Sequence, residues 1–179
     1  MSATAPTRRA AVVYESMFGN TAAIAAAVAD GLRGEGMDVV AADVTEVAHL
    51  DLAVDLLVVG APTHAFGLSR PSTRAQAVTQ GAEQAHAAIG LREWLATLPP
   101  GGAARVAIFD TRVAKVRGLP VGAAQSAARL ARRRGFVLVG KPARFIVSGT
   151  EGPLADGETE RASEWGRALA ARQRSDSRA

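Results

Sequence analysis

Short uncharged apolar runs recur along this chain, and longer amphipathic segments separate most of them. Ala10–Tyr14, Met37–Ala42, Leu56–Gly60 and Val106–Phe109 are the clearest short runs. Leu56–Gly60 carries β-branched residues and no charge, the pattern of a strand buried on both faces. Thr21–Arg33 places Ile24, Val28 and Leu32 four residues apart and ends at Gly34 and Gly36, so it reads as a helix with one buried face. Gly122–Arg134 is an alanine-rich helix stopped by Gly135. A last helix from about Glu158 to Arg172 aligns Ala162, Trp165, Leu169 and Arg172 on one stripe, with the indole and Leu169 docking it. Phe136–Val139 and Phe145–Val147 read as two halves of a fifth strand interrupted at Gly140, Lys141 and Pro142.

The segment 61–104 is mixed. It opens as a loop through Pro62 and Pro71. Ser72 or Thr73 is placed to cap a helix from about Arg74, Leu91–Leu98 makes a second helical piece, and Pro99, Pro100, Gly101 and Gly102 break the chain. Asp110–Val121 reads as a loop. Strand–helix alternation of this kind requires right-handed crossovers and a parallel sheet covered on both sides. The expected fold is α/β: a doubly wound three-layer sandwich around a five-stranded parallel sheet. With 179 residues, one domain over 10–172 is expected, flanked by flexible ends at 1–9 and 173–179. Ligands of such folds sit outside the carboxyl ends of the strands, which directs attention to the loops after strands one, three and four.

Composition removes several function classes. There are no cysteines, so disulfides, thiolate metal sites and thiol redox chemistry are absent, and redox work would fall to a bound cofactor. The net charge is +4, and all basic residues except Lys115 and Lys141 are arginine. Aromatics are only 4% and no base-stacking motif appears, which argues against nucleic acid. Arg129, Arg132, Arg133 and Arg134 fall on a solvated helix face. No apolar run approaches the ~20 residues of a spanning helix. The polar start lacks a secretory core, so the cytoplasm is the expected location. No His/Asp/Glu cluster has metal-ligand spacing, and no Gly-x-Ser-x-Gly elbow supports serine hydrolysis. His49 and His86 read as surface or helix residues, and Trp94 and Trp165 as packing residues.

The loop after strand one, Glu15-Ser16-Met17-Phe18-Gly19-Asn20-Thr21, leads straight into a helix. It offers backbone N–H groups, the hydroxyls of Ser16 and Thr21 and the Asn20 amide around a helix N-terminus, an arrangement suited to an anion. The same residues also serve as an ordinary cap, with Asn20 or Thr21 as N-cap. The loop fits neither the GxxxxGK[ST] nor the GxGxxG pattern, and it has no lysine.

Val12 to Thr21 resembles the flavodoxin phosphate loop. The loop Gly60 to Pro71 is similar to the family's threonine–aromatic loop, with Thr63 as the threonine and His64 in the aromatic slot. Phe109-Asp110-Thr111-Arg112 falls where the family contacts the pyrimidine edge of the flavin, and the closing run Phe145–Leu154 resembles the family's tails. The resemblance spans about residues 10–170. It implies a flavodoxin-like fold and FMN as cofactor, held by Ser16, Met17, Phe18, Gly19, Asn20, Thr21, Pro62, Thr63, His64, Phe66, Gly67, Asp110, Thr111 and Arg112, with no metal. It further implies electron transfer between redox partner proteins, or to a small-molecule acceptor, by a monomer or homodimer. The alternatives are an NAD(P)H-dependent oxidoreductase reducing a quinone or other small acceptor, and a flavin-free scaffold of the same fold. Phospho-receiver domains share this fold, but Gly60-Ala61-Pro62 holds no aspartate at the end of strand three.

Three departures from the family pattern stand out. No tyrosine lies near Asp110–Arg112, the chain is basic where electron-carrier flavodoxins are acidic, and the segment 61–104 is longer than a minimal carrier needs. Asp110 and Arg112 read as a local pair shaping the loop, or Arg112 as a cation beside the pyrimidine edge that would make the flavin easier to reduce.

Overall fold

The structure is a computed structural model describing residues 7–47, 50–116 and 118–176. Residues 1–6 and 177–179 of the expected flexible ends 1–9 and 173–179, and His49, lie outside the described residues. The elements run β1 (Arg9–Tyr14), α1 (Asn20–Gly34), β2 (Asp38–Asp43), β3 (Leu56–Pro62), α2 (Pro71–Thr79), α3 (Leu91–Thr97), β4 (Arg105–Val113), α4 (Ala123–Arg133), β5 (Ala143–Val147) and α5 (Glu158–Asp176). One-turn 3₁₀ helices lie at Gln84–Ala87 and Ala114–Val116.

All five strands are parallel, in the order β2-β1-β3-β4-β5. Val12 pairs with Ala41 on one side and Val58 on the other, and Val58 pairs on with Ala107. The chain goes from β1 outward to β2, then returns past β1 to β3. That reversal opens the crevice between the ends of β1 and β3.

Alternation within β1 assigns the two faces. Ala10 and Val12 join Ile24, Val28 and Leu32 of α1 and Ala162 and Leu169 of α5. Ala11 and Val13 join Leu91, Trp94 and Leu95 of α3 and Ala124, Ala127 and Ala131 of α4. A small third cluster sets Met17 against Ala77 and Ala82, with Phe18 and Val78 packed on it. This cluster fastens α2 to the loop after β1.

Two close approaches depend on glycine. A Cβ on Gly31 would stand 2.1 Å from the Ser163 carbonyl oxygen, and one on Gly166 would stand 2.4 Å from that of Val28, so α1 and α5 touch backbone to backbone. A Cβ on Gly60 would strike the Phe109 ring at 2.0 Å. Phe109 meets Phe145 and Trp165 edge-on, with centroids 5.8 and 6.1 Å away. Such edge-to-face pairs contribute ~0.5–1.5 kcal/mol each beyond the burial of the rings.

Several boundaries differ from the sequence reading. β4 continues through Asp110, Thr111 and Arg112 to Val113, because these residues pair with Arg144, Phe145, Ile146 and Val147. The interrupted fifth strand is present, but its first half pairs with β4 only around Leu138 opposite Val106. α2 begins at Pro71, with Arg70 at its N-cap, and the Thr73 hydroxyl accepts the Arg70 N–H at 2.9 Å rather than capping a helix of its own. α5 reaches Asp176, past the expected end at Arg172. Arg172 is exposed, with its guanidinium lying over Gly140, while Gln173 is buried.

Candidate functional site

A cavity of about 310 Å³ opens at the carboxyl ends of β1, β3 and β4. It is lined by parts of five segments: Ser16, Met17, Phe18, Asn20 and Thr21; Pro62, Thr63, His64 and Ala65; Thr73, Gln76, Ala77 and Gln80; Thr111, Arg112 and Val113; and Val147 with Thr150. The volume lies in the range of small-molecule sites, ~300–1,000 Å³.

The loop after β1 builds the deepest wall. Gly19 holds the N-cap position of α1 at φ 86, so neither Asn20 nor Thr21 is the cap. The oxygen comes from Ser16, whose Oγ accepts the N–H groups of Gly19 and Ala22 at 3.2 Å each. Space does not demand glycine here, as nothing lies within 4 Å of an added Cβ; the left-handed backbone does. The Thr21 hydroxyl meets the Thr111 hydroxyl at 2.8 Å, joining the first turn of α1 to β4. The Asn20 amide donates to the Glu151 carbonyl at 3.0 Å, fixing the loop after β5 against the same wall.

Behind this loop, Glu15 is fully buried and accepts the Leu91 N–H at 2.8 Å. Burial pushes its carboxyl above the usual carboxylate range, opposed by Ser69, the Leu91 N–H and Arg74. Arg74 is itself buried and donates to Ser69 Oγ, Glu93 Oε2 and the Ala87 carbonyl. This network holds α2 and α3 in place behind the cavity.

Gly19, Phe66, Gly67 and Asp110 do not line the cavity. Gly19 shapes the loop from behind. Phe66 sits at the tip of the His64–Gly67 turn with 58% of its surface exposed, and Gly67 faces Ser126 of α4. Asp110 is fully buried. Its carboxylate accepts from Arg112, from Thr63 Oγ1 at 3.1 Å and from the Ala124 N–H at 3.0 Å.

Arg112 lines the cavity and forms the expected pair with Asp110. It is 1% exposed, and its guanidinium binds Asp110 through Nε at 3.0 Å and Nη2 at 2.5 Å. The remaining donors reach the Leu119 and Val121 carbonyls and Gln125. It straps residues 119–121 onto β4, and its charge is matched within the fold at the cavity wall.

The wall from α2 escaped the sequence reading. Thr73, Gln76, Ala77 and Gln80 share one helix face by their three- and four-residue spacing, a periodicity visible in the sequence. Val113, Val147 and Thr150 were also missed. They enter because β4 and β5 extend together to the cavity.

The fold is similar to that of flavodoxin 2 from Bacillus cereus (TM-score 0.65, 20% identity, 92% of this chain and 99% of that one). It is likewise similar to a flavodoxin from the Archaea (TM-score 0.62, 19% identity, 93% and 99% covered). The flavodiiron core of Flv1 from Synechocystis sp. also matches (TM-score 0.59, 18% identity, 96% of this chain), though the match spans only 37% of that protein. No curated protein sequence matches this chain. Residues 12–90, which hold the loops after β1 and β3, match the family model of flavodoxin. Over those residues the chain is similar to the flavodoxin family. FMN is that family's cofactor.

The site fits FMN on its own chemistry. Neutral hydroxyls and N–H groups gather at the start of the 15-residue α1, where the helix dipole favours a phosphate. Gly19 and Ala22 already present N–H groups to a single oxygen, that of Ser16. The remaining walls mix apolar surface with hydroxyls and amides, and no carboxylate is among them.

Proposed function

We propose that this protein holds FMN in the cavity and carries electrons between a reductase and an acceptor protein. The observation that carries this reading is the convergence of the Ser16–Thr21 loop, the Thr63–His64 segment and Thr111 on one cavity at the β1/β3 crevice. In this reading Ser16, Thr21 and the backbone N–H groups of the loop bind the phosphate. Met17, Phe18, Pro62, His64 and Val113 exclude water from the rest. Thr63, Thr111 and Asn20 keep the walls in register through their bonds to Asp110, Thr21 and Glu151. Bound FMN supplies electron acceptance and donation, which no side chain of this cysteine-free chain provides. Asp110 acts behind the wall as a positioning residue, holding Arg112 and Thr63 in the wall.

A second reading is an FMN-dependent oxidoreductase acting on a small acceptor such as a quinone. The exposed polar face of α2, with Thr73, Gln76 and Gln80, favours it, because this face adds donors and acceptors at the open edge. Steady-state oxidation of NAD(P)H by the FMN-loaded protein, with a quinone and without any added reductase, separates the two. A carrier turns over only when a reductase is supplied. Rapid turnover of the protein alone establishes the enzyme.

A further inference from the structure

His64 lines the cavity on a rigid mount. Its N–H and C=O pair with the C=O and N–H of Gly67, both at 2.9 Å. The two residues between them, Ala65 and Phe66, take left-handed φ values of 44° and 66°. Non-glycine residues adopt that region only where the surroundings enforce it. The half-buried imidazole therefore projects from a two-residue hairpin, and no group among the described residues hydrogen-bonds its ring nitrogens.

The charges around it are few. Burial and then the positive charge of Arg74 on α2 hold His64 below the usual histidine range, in its neutral form. Arg74 is tied to Ser69 and Glu93, Asp110 and Arg112 of β4 close on each other, and Glu15 turns toward Leu91. The loop after β5 meets the cavity wall with the carbonyl of Glu151. Among the described residues that line the cavity, His64 alone can change charge at moderate pH, since a guanidinium stays protonated.

We propose that His64 is the proton partner of electron uptake at this site, its imidazole binding a proton from solvent when the group held in the cavity gains negative charge. This rests on the FMN reading. The electron comes from an external reductant, a redox protein in use or dithionite in a test. One N–H bond forms on the imidazole with a proton from water or buffer, and no bond to the flavin is made or broken in that step. Re-oxidation reverses it. Linkage makes the effect reciprocal: the factor by which reduction raises proton affinity is the factor by which protonation favours reduction. An aromatic residue at this position would have no such coupling.

The test compares FMN-loaded wild type with His64→Gln and His64→Trp by spectroelectrochemistry across about pH 5 to 9. The wild-type potential should show an interval of steeper pH dependence that both variants lack. A tenfold change in affinity ratio corresponds to ~59 mV for one electron. Carbon-detected titration of the His64 ring by NMR gives a readout independent of turnover. Its midpoint should lie below the ordinary histidine value in the flavin-free protein and rise by at least one pH unit on reduction of the complex. Identical pH dependence in all three proteins, or an unmoved midpoint, overturns the proposal while leaving FMN binding intact. Failure of the wild type to bind FMN overturns both.

Discussion

Thr21 and Thr111 stand ninety positions apart in sequence, and their hydroxyls meet at 2.8 Å in the buried floor of the cavity. Through this contact the N-terminus of α1 and the end of β4 form one surface. Replacing either by valine leaves a buried hydroxyl unpartnered, a cost of ~1–3 kcal/mol. Thr21→Val and Thr111→Val should each lower the melting temperature. The double variant should lose less than the sum, because no orphaned hydroxyl remains. Thermal melts of the four proteins form the cycle that checks this.

Asp110 and Arg112 form a buried ion pair beneath the site. Arg112→Gln leaves the Asp110 carboxylate without its guanidinium, and breaking such a pair costs ~3–5 kcal/mol. Asp110→Asn with Arg112→Gln should recover a substantial part of that loss. Urea denaturation of the two single variants and the double variant measures it.

The cavity wall contains no carboxylate, so negative charge can be introduced and its effect read. Gln76→Glu places an acid at the exposed edge of the α2 wall. Reduction of bound FMN adds negative charge, so the variant should have a more negative potential. Solvent screening should keep the shift within the ~59 mV of a tenfold affinity change. Ala75→Glu, on the same helix but outside the lining, should change it less. Spectroelectrochemistry at two salt concentrations checks both the direction and the screening.

The backbone contact between α1 and α5 sets a steric prediction. Gly31→Ala and Gly166→Ala should each destabilise by ~1–3 kcal/mol, the usual scale for overpacking. Gly34→Ala, where an added Cβ meets nothing within 4 Å, should be neutral or gain ~0.5–1 kcal/mol. Equal melting temperatures for Gly31→Ala and Gly34→Ala would contradict the close approach.

Glu15 gives the protein a pH dependence of definite sign. Its folded-state pKa is raised, chiefly by burial, so the folded state binds the proton more tightly than the unfolded chain. The stability associated with that proton is present below the ordinary carboxylate range and is lost as pH rises through the raised value. Glu15→Gln keeps an acceptor for the Leu91 N–H and carries no charge. It should be more stable than wild type at neutral pH, with the difference shrinking as pH falls toward the ordinary carboxylate range. Chemical denaturation at several pH values reads this directly.

Much of this was legible in the sequence. The uncharged run Leu56–Gly60 and the spaced Ile24, Val28 and Leu32 announce a covered strand and a one-faced helix, and both take those places. Ser16 and Thr21 could be singled out because they surround a helix N-terminus at a strand's carboxyl end, whereas Thr63, His64 and Thr111 followed only from the resemblance to flavodoxin loops; all five line the cavity. The Asp110–Arg112 pair could be read from the sequence, but not the burial of Arg112 or its further partners. Its role depends on a residue two positions away on the same strand and on three partners in the 119–125 segment, all set by tertiary folding. The α2 wall was hidden for another reason. Thr73, Gln76 and Gln80 have the composition of any solvent face, and only the packing of Ala77 and Ala82 on Met17 turns them toward the cavity.

The central claim is that the neutral donors of the Ser16–Thr21 loop hold the phosphate of FMN. Fluorescence titration of the flavin-free protein with FMN, with riboflavin and with FAD tests it most directly. The account predicts saturable one-to-one quenching by FMN, much weaker binding of riboflavin, and a loss of about tenfold or more in FMN affinity for Ser16→Ala, the scale of a hydrogen bond to a charged group. Equal affinity for FMN and riboflavin, or no quenching by FMN, would contradict it.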